Sequence, residues 1–211
     1  MKPGARTLGV SVSAPSGADE SAETADSADA DGSGADAAVA GALVRADRVL
    51  DGLSFSRCTV GGTDATAAVV DCFERLGRED VQFVLVAGVA PAWFNVVDLA
   101  AVHEAVDRPV LSVSFEASAG LAPALREHFS GDALRRRLGV YEALPPRVRV
   151  SVDDDVDGGD EGSAALWVRA VGCGDDEARR VVAELTPAGQ RRPEPLRVAR
   201  LAARGGRDLL G

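Results

Sequence analysis

The sequence predicts an α/β fold: a mixed sheet with a three-strand antiparallel meander followed by parallel strands and flanking helices. Three observations point there. Short apolar runs, interrupted by a tight-turn pair, fill the N-terminal part of the chain. One later run, 81–86 (VQFVLV), is continuously apolar, as in a strand buried on both faces. Apolar residues at helical spacing then alternate with further β-like runs.

The first strand is expected at 6–13 (RTLGVSVS). The Ala/Val/Leu-rich stretch 37–46 admits helix or strand. The pair Asp51-Gly52 selects strand, because it reads as a tight turn leading into 53–60 (LSFSRCTV). Gly61-Gly62 breaks the pattern. A helix is expected at 64–76, with Val69, Val70, Phe73 and Leu76 at helical spacing. After strand 81–86 come a loop from Gly88 to Pro91, a helix at 93–106, and a strand at 110–115 after Pro109. Helices are expected at 120–129 and 132–143. Alternation at 147–152 and 164–171 predicts a hairpin with a long tip. A helix at 175–185 carries acids in its first turn, where they suit the dipole. The last helix, 194–207, follows Pro193. The order β-β-β-α-β-α-β is that of a ribonuclease H-like domain.

The 211 residues, 46% apolar, suffice for one domain spanning 1–211 with a real core. No run is long enough to span a membrane, and no signal peptide is expected. Cys58, Cys72 and Cys173 have no metal-like spacing and read as reduced thiols in the cytoplasm. The two histidines, His103 and His128, and the absence of a CxxC pair argue against structural zinc.

The net charge is −10, yet 22 of the 23 basic residues are Arg and 21 of the 33 acids are Asp. Aspartate-rich, lysine-poor surfaces suit a salt-loving, archaeal cytoplasm; a high-GC genome gives the same Arg and Ala bias. Residues 14–36 hold seven acids and no base and read as an acidic disordered insertion. Residues 153–161 hold six acids and read as an acidic hairpin loop. What is left has 20 acids and 23 bases, a slightly basic body. Both loops read as solvation devices.

Several residues are candidates for a site. Asp64 and Thr66 stand at the start of the 64–76 helix, where Asp64 is either its cap or a functional carboxylate. Asn95 and Asp98, three apart on the expected 93–106 helix, share a face and form a candidate pocket. Phe94 beside them is a core ring or a wedge against a base. Glu194 either complements a helix dipole or serves a site with Arg197. Arg197, Arg200, Arg204 and Arg207 form a stripe preceded by Arg191 and Arg192. That stripe is a phosphate-tracking face or a solvated one. Concentrated salt screens phosphate attraction, which favours Phe94 and Asn95 over the stripe.

The segments TVGGTDAT (59–66), AGVAPAWFNVVDL (87–99), RPVLSV (108–113) and PEPLRVARLAA (193–203), with the opening KPGARTLGV (2–10), resemble the archaeal endonuclease dU family, also catalogued as domain of unknown function family 99. The resemblance implies a ribonuclease H-like fold related to endonuclease V. It also implies metal-dependent nicking of DNA near deaminated bases such as deoxyuridine, with Mg²⁺ or Mn²⁺ held by carboxylates. The family pattern places acids after the first Gly of a GIDD-like strand, in a VDG motif, and often after the DxT. This chain has Ser11 and Val12, Gly61 and Ala67 there. Asp64 and Asp98 are the acids left as catalytic and metal-ligand candidates. The expectation is a DNA-repair nuclease with weakened or lost chemistry. The alternative is a non-catalytic member binding nucleic acid or protein through the same cleft.

Overall fold

The structure is a computed structural model describing residues 4–15, 35–118, 120–151 and 165–210, with 208–210 as backbone only. Most of the 14–36 insertion and all of the 153–161 loop lie outside the described residues.

Seven strands form one sheet: β1 Arg6–Ser13, β2 Asp36–Arg45, β3 Leu50–Thr59, β4 Val81–Ala87, β5 Val110–Ser114, β6 Val148–Ser151 and β7 Ala165–Val171. Their order is β3-β2-β1-β4-β5-β7-β6. The first three make the expected antiparallel meander. β4 and β5 run parallel to β1, and the β6/β7 hairpin closes the far side antiparallel to β5. The helices are α1 Ala65–Leu76, α2 Leu99–Val106, α3 Ala122–His128, α4 Gly131–Glu142, α5 Asp175–Leu185 and α6 Glu194–Leu210. This is the expected ribonuclease H-like arrangement.

Two elements depart from expectation. Asp51-Gly52 is not the hairpin turn: both residues lie inside β3, with Gly52 opposite Leu43. The chain reverses at 46–49, where the Arg45 amide donates to the Val49 carbonyl at 3.0 Å and Arg48 adopts φ 68°. A register shift beside Val44 accommodates Asp51, whose carboxylate accepts from Arg6 and Arg78. The second departure is the helix expected at 93–106, which begins only at Leu99. Trp93 and Phe94 stand in the left-handed region, at φ 39° and 58°. The Val97 amide turns back to the Val89 carbonyl at 2.8 Å. Asp98 then caps α2 by accepting from the Ala100 and Ala101 amides at 3.0 Å. Asn95 and Asp98 therefore do not share a helix face.

The sheet is covered on both sides. Leu8 and Val10 of β1 pack with Val69 and Cys72 of α1 and Leu99 and Val102 of α2. The residue between them points to the opposite face, where α6 lies. A Cβ on Gly9 would sit 2.3 Å from the Pro195 carbonyl carbon, so the N-terminus of α6 rests directly on the β1 backbone. Ala42 and Val44 meet Ala199 along the same contact; these small side chains let the helix approach closely. A second cluster joins Leu85, Leu111 and Val113 to Val181, Val182 and Leu185 of α5 and to Leu196 of α6.

Candidate functional site

The residues singled out at 64–66 and 94–98 meet, although 30 positions separate Ala65 from Asn95. Asn95 is fully buried. Its Oδ1 accepts the Ala65 amide at 2.9 Å, so Asn95, not Asp64, satisfies the first turn of α1. Its Nδ2 donates to the Thr59 carbonyl at 2.8 Å and to the Asp64 carboxylate at 2.6 Å. Asp64 also accepts from the Thr59 amide, at 3.0 and 3.1 Å, and from the Thr59 hydroxyl at 2.9 Å. The Thr66 hydroxyl accepts the Asp98 amide at 2.9 Å. Asp64, Thr66, Asn95 and Asp98 thus form a structural knot tying the end of β3, the start of α1 and the loop before α2.

Phe94 belongs to an aromatic cluster, its ring centroid 5.2 Å from those of Trp93 and His128 and 5.7 Å from that of Phe129. Arg137, 4% exposed, stacks 4.0 Å from the Phe129 centroid and donates to the carbonyls of Gly61 and Gly62. Gly61 has φ 72°, and a Cβ there would sit 2.8 Å from Trp93. The position where the resembled pattern has an acid is therefore filled by an indole ring.

Glu194 and Arg197 stand apart from this knot, at the start of α6. Arg197 donates to both Glu194 oxygens at 2.7 Å and holds the Glu194 carboxyl below its usual range. The arginine stripe divides here, because Arg197 has a carboxylate partner while Arg200, Arg204 and Arg207 turn to a cleft.

That cleft, about 650 Å³, opens at the carboxyl ends of β1, β4 and β5. In open α/β sheets, ligands bind in such crevices. Ser11 and Ser13 of β1, Ala87 to Pro91 after β4, and Ser114 to Glu116 after β5 form its floor. Among the described residues, Arg147, Arg169, Arg192, Arg200, Arg204 and Arg207 line it, against one carboxylate, Glu116. Three of these guanidinium groups are held by rings: Arg192 lies 3.6 Å from the Phe115 centroid, Arg147 5.4 Å from Trp167 and Arg169 5.5 Å from Tyr141. Arg207 donates to the Ser13 hydroxyl at 3.4 Å. Burial, and then Arg200 and Arg204, push the Arg192 guanidinium below its usual range.

Elsewhere among the described residues ten arginines are matched, while Arg48, Arg136, Arg180 and Arg191 stand on the surface outside any salt bridge. Arg6, Arg45, Arg57, Arg75, Arg78, Arg108, Arg126, Arg135, Arg179 and Arg197 each have a carboxylate partner. In the cleft, Arg147, Arg169, Arg192, Arg200 and Arg204 have none among the described residues. Sequence reasoning set the stripe below Phe94 and Asn95 and missed Arg147 and Arg169. Their only signal was Arg on a predicted hairpin, which does not say which sheet end they reach.

A divalent cation needs converging oxygen ligands, and the donor set here does not fit one. Ser11 lies in the arginine cleft, Gly61 lies under Trp93, and Ala67 is exposed on α1. Asp64 is engaged by Thr59 and Asn95, Asp98 caps α2, and Glu194 chelates Arg197. Among the described residues, no group of three or more His, Cys, Asp or Glu is placed to hold a metal ion. No helix among them is long and apolar enough to cross a membrane.

The solved structures most useful for comparison share the fold. A protein of unknown function from Archaeoglobus fulgidus superposes with TM-score 0.69 at 19% identity, over 95% of this chain and 96% of that one. Endonuclease V of Ciona intestinalis, bound to DNA containing an inosine followed by a ribo-adenosine, gives 0.57 at 11% identity, over 100% and 88%. Endonuclease V of Bacillus subtilis gives 0.58 at 13% identity, over 98% and 82%. In sequence, a UPF0215 protein of Pyrobaculum aerophilum is 31% identical over 172 residues, 81% of this chain and 86% of that protein. Another, from Pyrobaculum calidifontis, is 30% identical over 177 residues, covering 82% and 89%. The family model described as endonuclease dU matches residues 17–206. With the fold of endonuclease V and a family match across nearly its whole length, the chain belongs to the endonuclease dU family.

Proposed function

We propose that this chain binds nucleic acid in the arginine cleft and that its two-metal nuclease chemistry is lost or greatly weakened. One observation carries the reading: at the strand ends where this fold places its ligands, Arg147, Arg169, Arg192, Arg200 and Arg204, without a carboxylate partner among the described residues, stand with serines. Arginine forks match phosphate oxygens. An array of them without acidic partners is the electrostatic footprint of a polyanion site. The knot around Asn95 supports the cleft by fixing the segment that follows its Gly88–Pro91 wall.

Nicking at deoxyuridine is the activity the family resemblance suggests, and it needs acids at positions held here by Ser11, Gly61 and Ala67. A cytoplasmic, salt-loving setting, read from the composition, belongs to the same proposal. Binding is measured by fluorescence anisotropy on single- and double-stranded DNA from low to multimolar salt, with EDTA or with Mg²⁺. Nicking of uracil- and hypoxanthine-containing DNA is measured in parallel with Mg²⁺ or Mn²⁺. The expected result is binding that weakens steeply with salt, is insensitive to EDTA and produces no nicks. Robust metal-dependent cleavage by the pure protein overturns the loss of chemistry. Absence of salt-dependent binding overturns the nucleic-acid reading.

A further inference from the structure

We infer that Arg192, Arg200 and Arg204 form a subsite for a terminal phosphate at the end of a nucleic-acid strand. The inference rests on the nucleic-acid reading and narrows it to one chemical group. Arg200 and Arg204 are four apart on α6 and so project side by side. Arg192, just before that helix, lies over the ring of Phe115, the residue that follows β5. All three line the same cleft, and they come from one short stretch of chain, the turn into α6 and its exposed face. Among the described residues none has a carboxylate partner, and Glu116 is the one acid lining the cleft.

Three guanidinium groups on one stretch of the cleft lining call for more negative charge than a single backbone phosphodiester supplies. A terminal phosphate monoester carries between one and two negative charges near neutral pH and has three acceptor oxygens. It suits three forked donors better than a diester with one charge. The Ser11 and Ser114 hydroxyls line the same floor. The strand would run from this end toward Arg169 and Arg147, on the opposite wall formed by the β6/β7 hairpin and the segment before it.

The test compares one fluorescent single strand in three forms: 5′-phosphorylated, 3′-phosphorylated and with hydroxyls at both ends. One phosphorylated form is expected to bind about tenfold more tightly than the hydroxyl form. Arg200→Ala with Arg204→Ala is expected to abolish that preference; both residues are exposed, so the fold survives. Arg135→Ala, which removes an arginine paired with Asp132 outside the cleft, is expected to leave it intact. Equal affinity for all three forms overturns the subsite, as does a preference that survives the double variant. Hydroxyl-ended DNA that binds with strong salt dependence but no phosphate preference sinks this inference alone. Loss of all binding sinks the nucleic-acid reading beneath it.

Discussion

Asn95 carries more of the local structure than any other polar residue near the knot. Removing its amide leaves the buried Ala65 N–H without its partner and takes one donor each from the Thr59 carbonyl and Asp64, which keep the Gly62 and Thr59 amides. Unsatisfied buried groups cost roughly 1–3 kcal/mol each. Asn95→Ala is therefore expected to lower stability by about 2 kcal/mol, measured by urea denaturation. Asn95→Asp retains one acceptor but places a second carboxylate against Asp64, and is expected to be nearly as damaging. At this scale the sequence singled out residues that the structure brings together, but not the contacts they make. Asp64, Thr66, Asn95 and Asp98 all fall in the knot, yet a side chain reaching back 30 positions leaves no trace in local spacing. Phe94 is likewise found in the aromatic cluster, which the alternative of a packed ring had foreseen.

Among the elements, α6 depends on two different kinds of contact. Its start rests on Gly9, so Gly9→Val is expected to destabilise the protein by about 3 kcal/mol or more, because backbone and not a mobile side chain must yield. Circular dichroism melting curves provide the check. Its first turn also holds the Glu194–Arg197 pair. The folded state depresses the Glu194 pKa below its usual 4.5. The stability it contributes is therefore full above pH 4.5 and is lost as pH falls through the lower folded value. Glu194→Gln is expected to flatten part of the acid limb of a stability-versus-pH curve and to change little near pH 7. Most elements were readable from periodicity, including α5 with its acidic first turn. Two were not. Trp93 and Phe94 continue a helical pattern, but the buried Asn95 pulls the chain out of helix there. Asp51-Gly52 has turn chemistry, yet ion pairs with Arg6 and Arg78 hold Asp51 within a strand.

For the whole molecule, the net charge of −10 hides a cleft of the opposite sign. The sequence revealed the slightly basic body once the two acid-rich stretches were set aside. The gathering of arginines from three separate stretches became visible only with the sheet order. DNA binding is expected to show a linear dependence of log K on log salt concentration. Arg200→Ala is expected to reduce the magnitude of that slope by about one unit on duplex DNA, while Arg179→Ala, outside the cleft and paired with Asp176, leaves it unchanged. The Gly61 turn has a further consequence. A carboxylate at 61 is not accommodated by a single substitution, because its Cβ would meet Trp93 at 2.8 Å on a backbone at φ 72°. Trp93 is itself wedged among Phe94, His128 and Phe129, and Arg137 occupies the Gly61 carbonyl. An acid at this turn requires the aromatic cluster to be rebuilt around it, so the Trp93 packing and the chemistry of position 61 are one choice and not two.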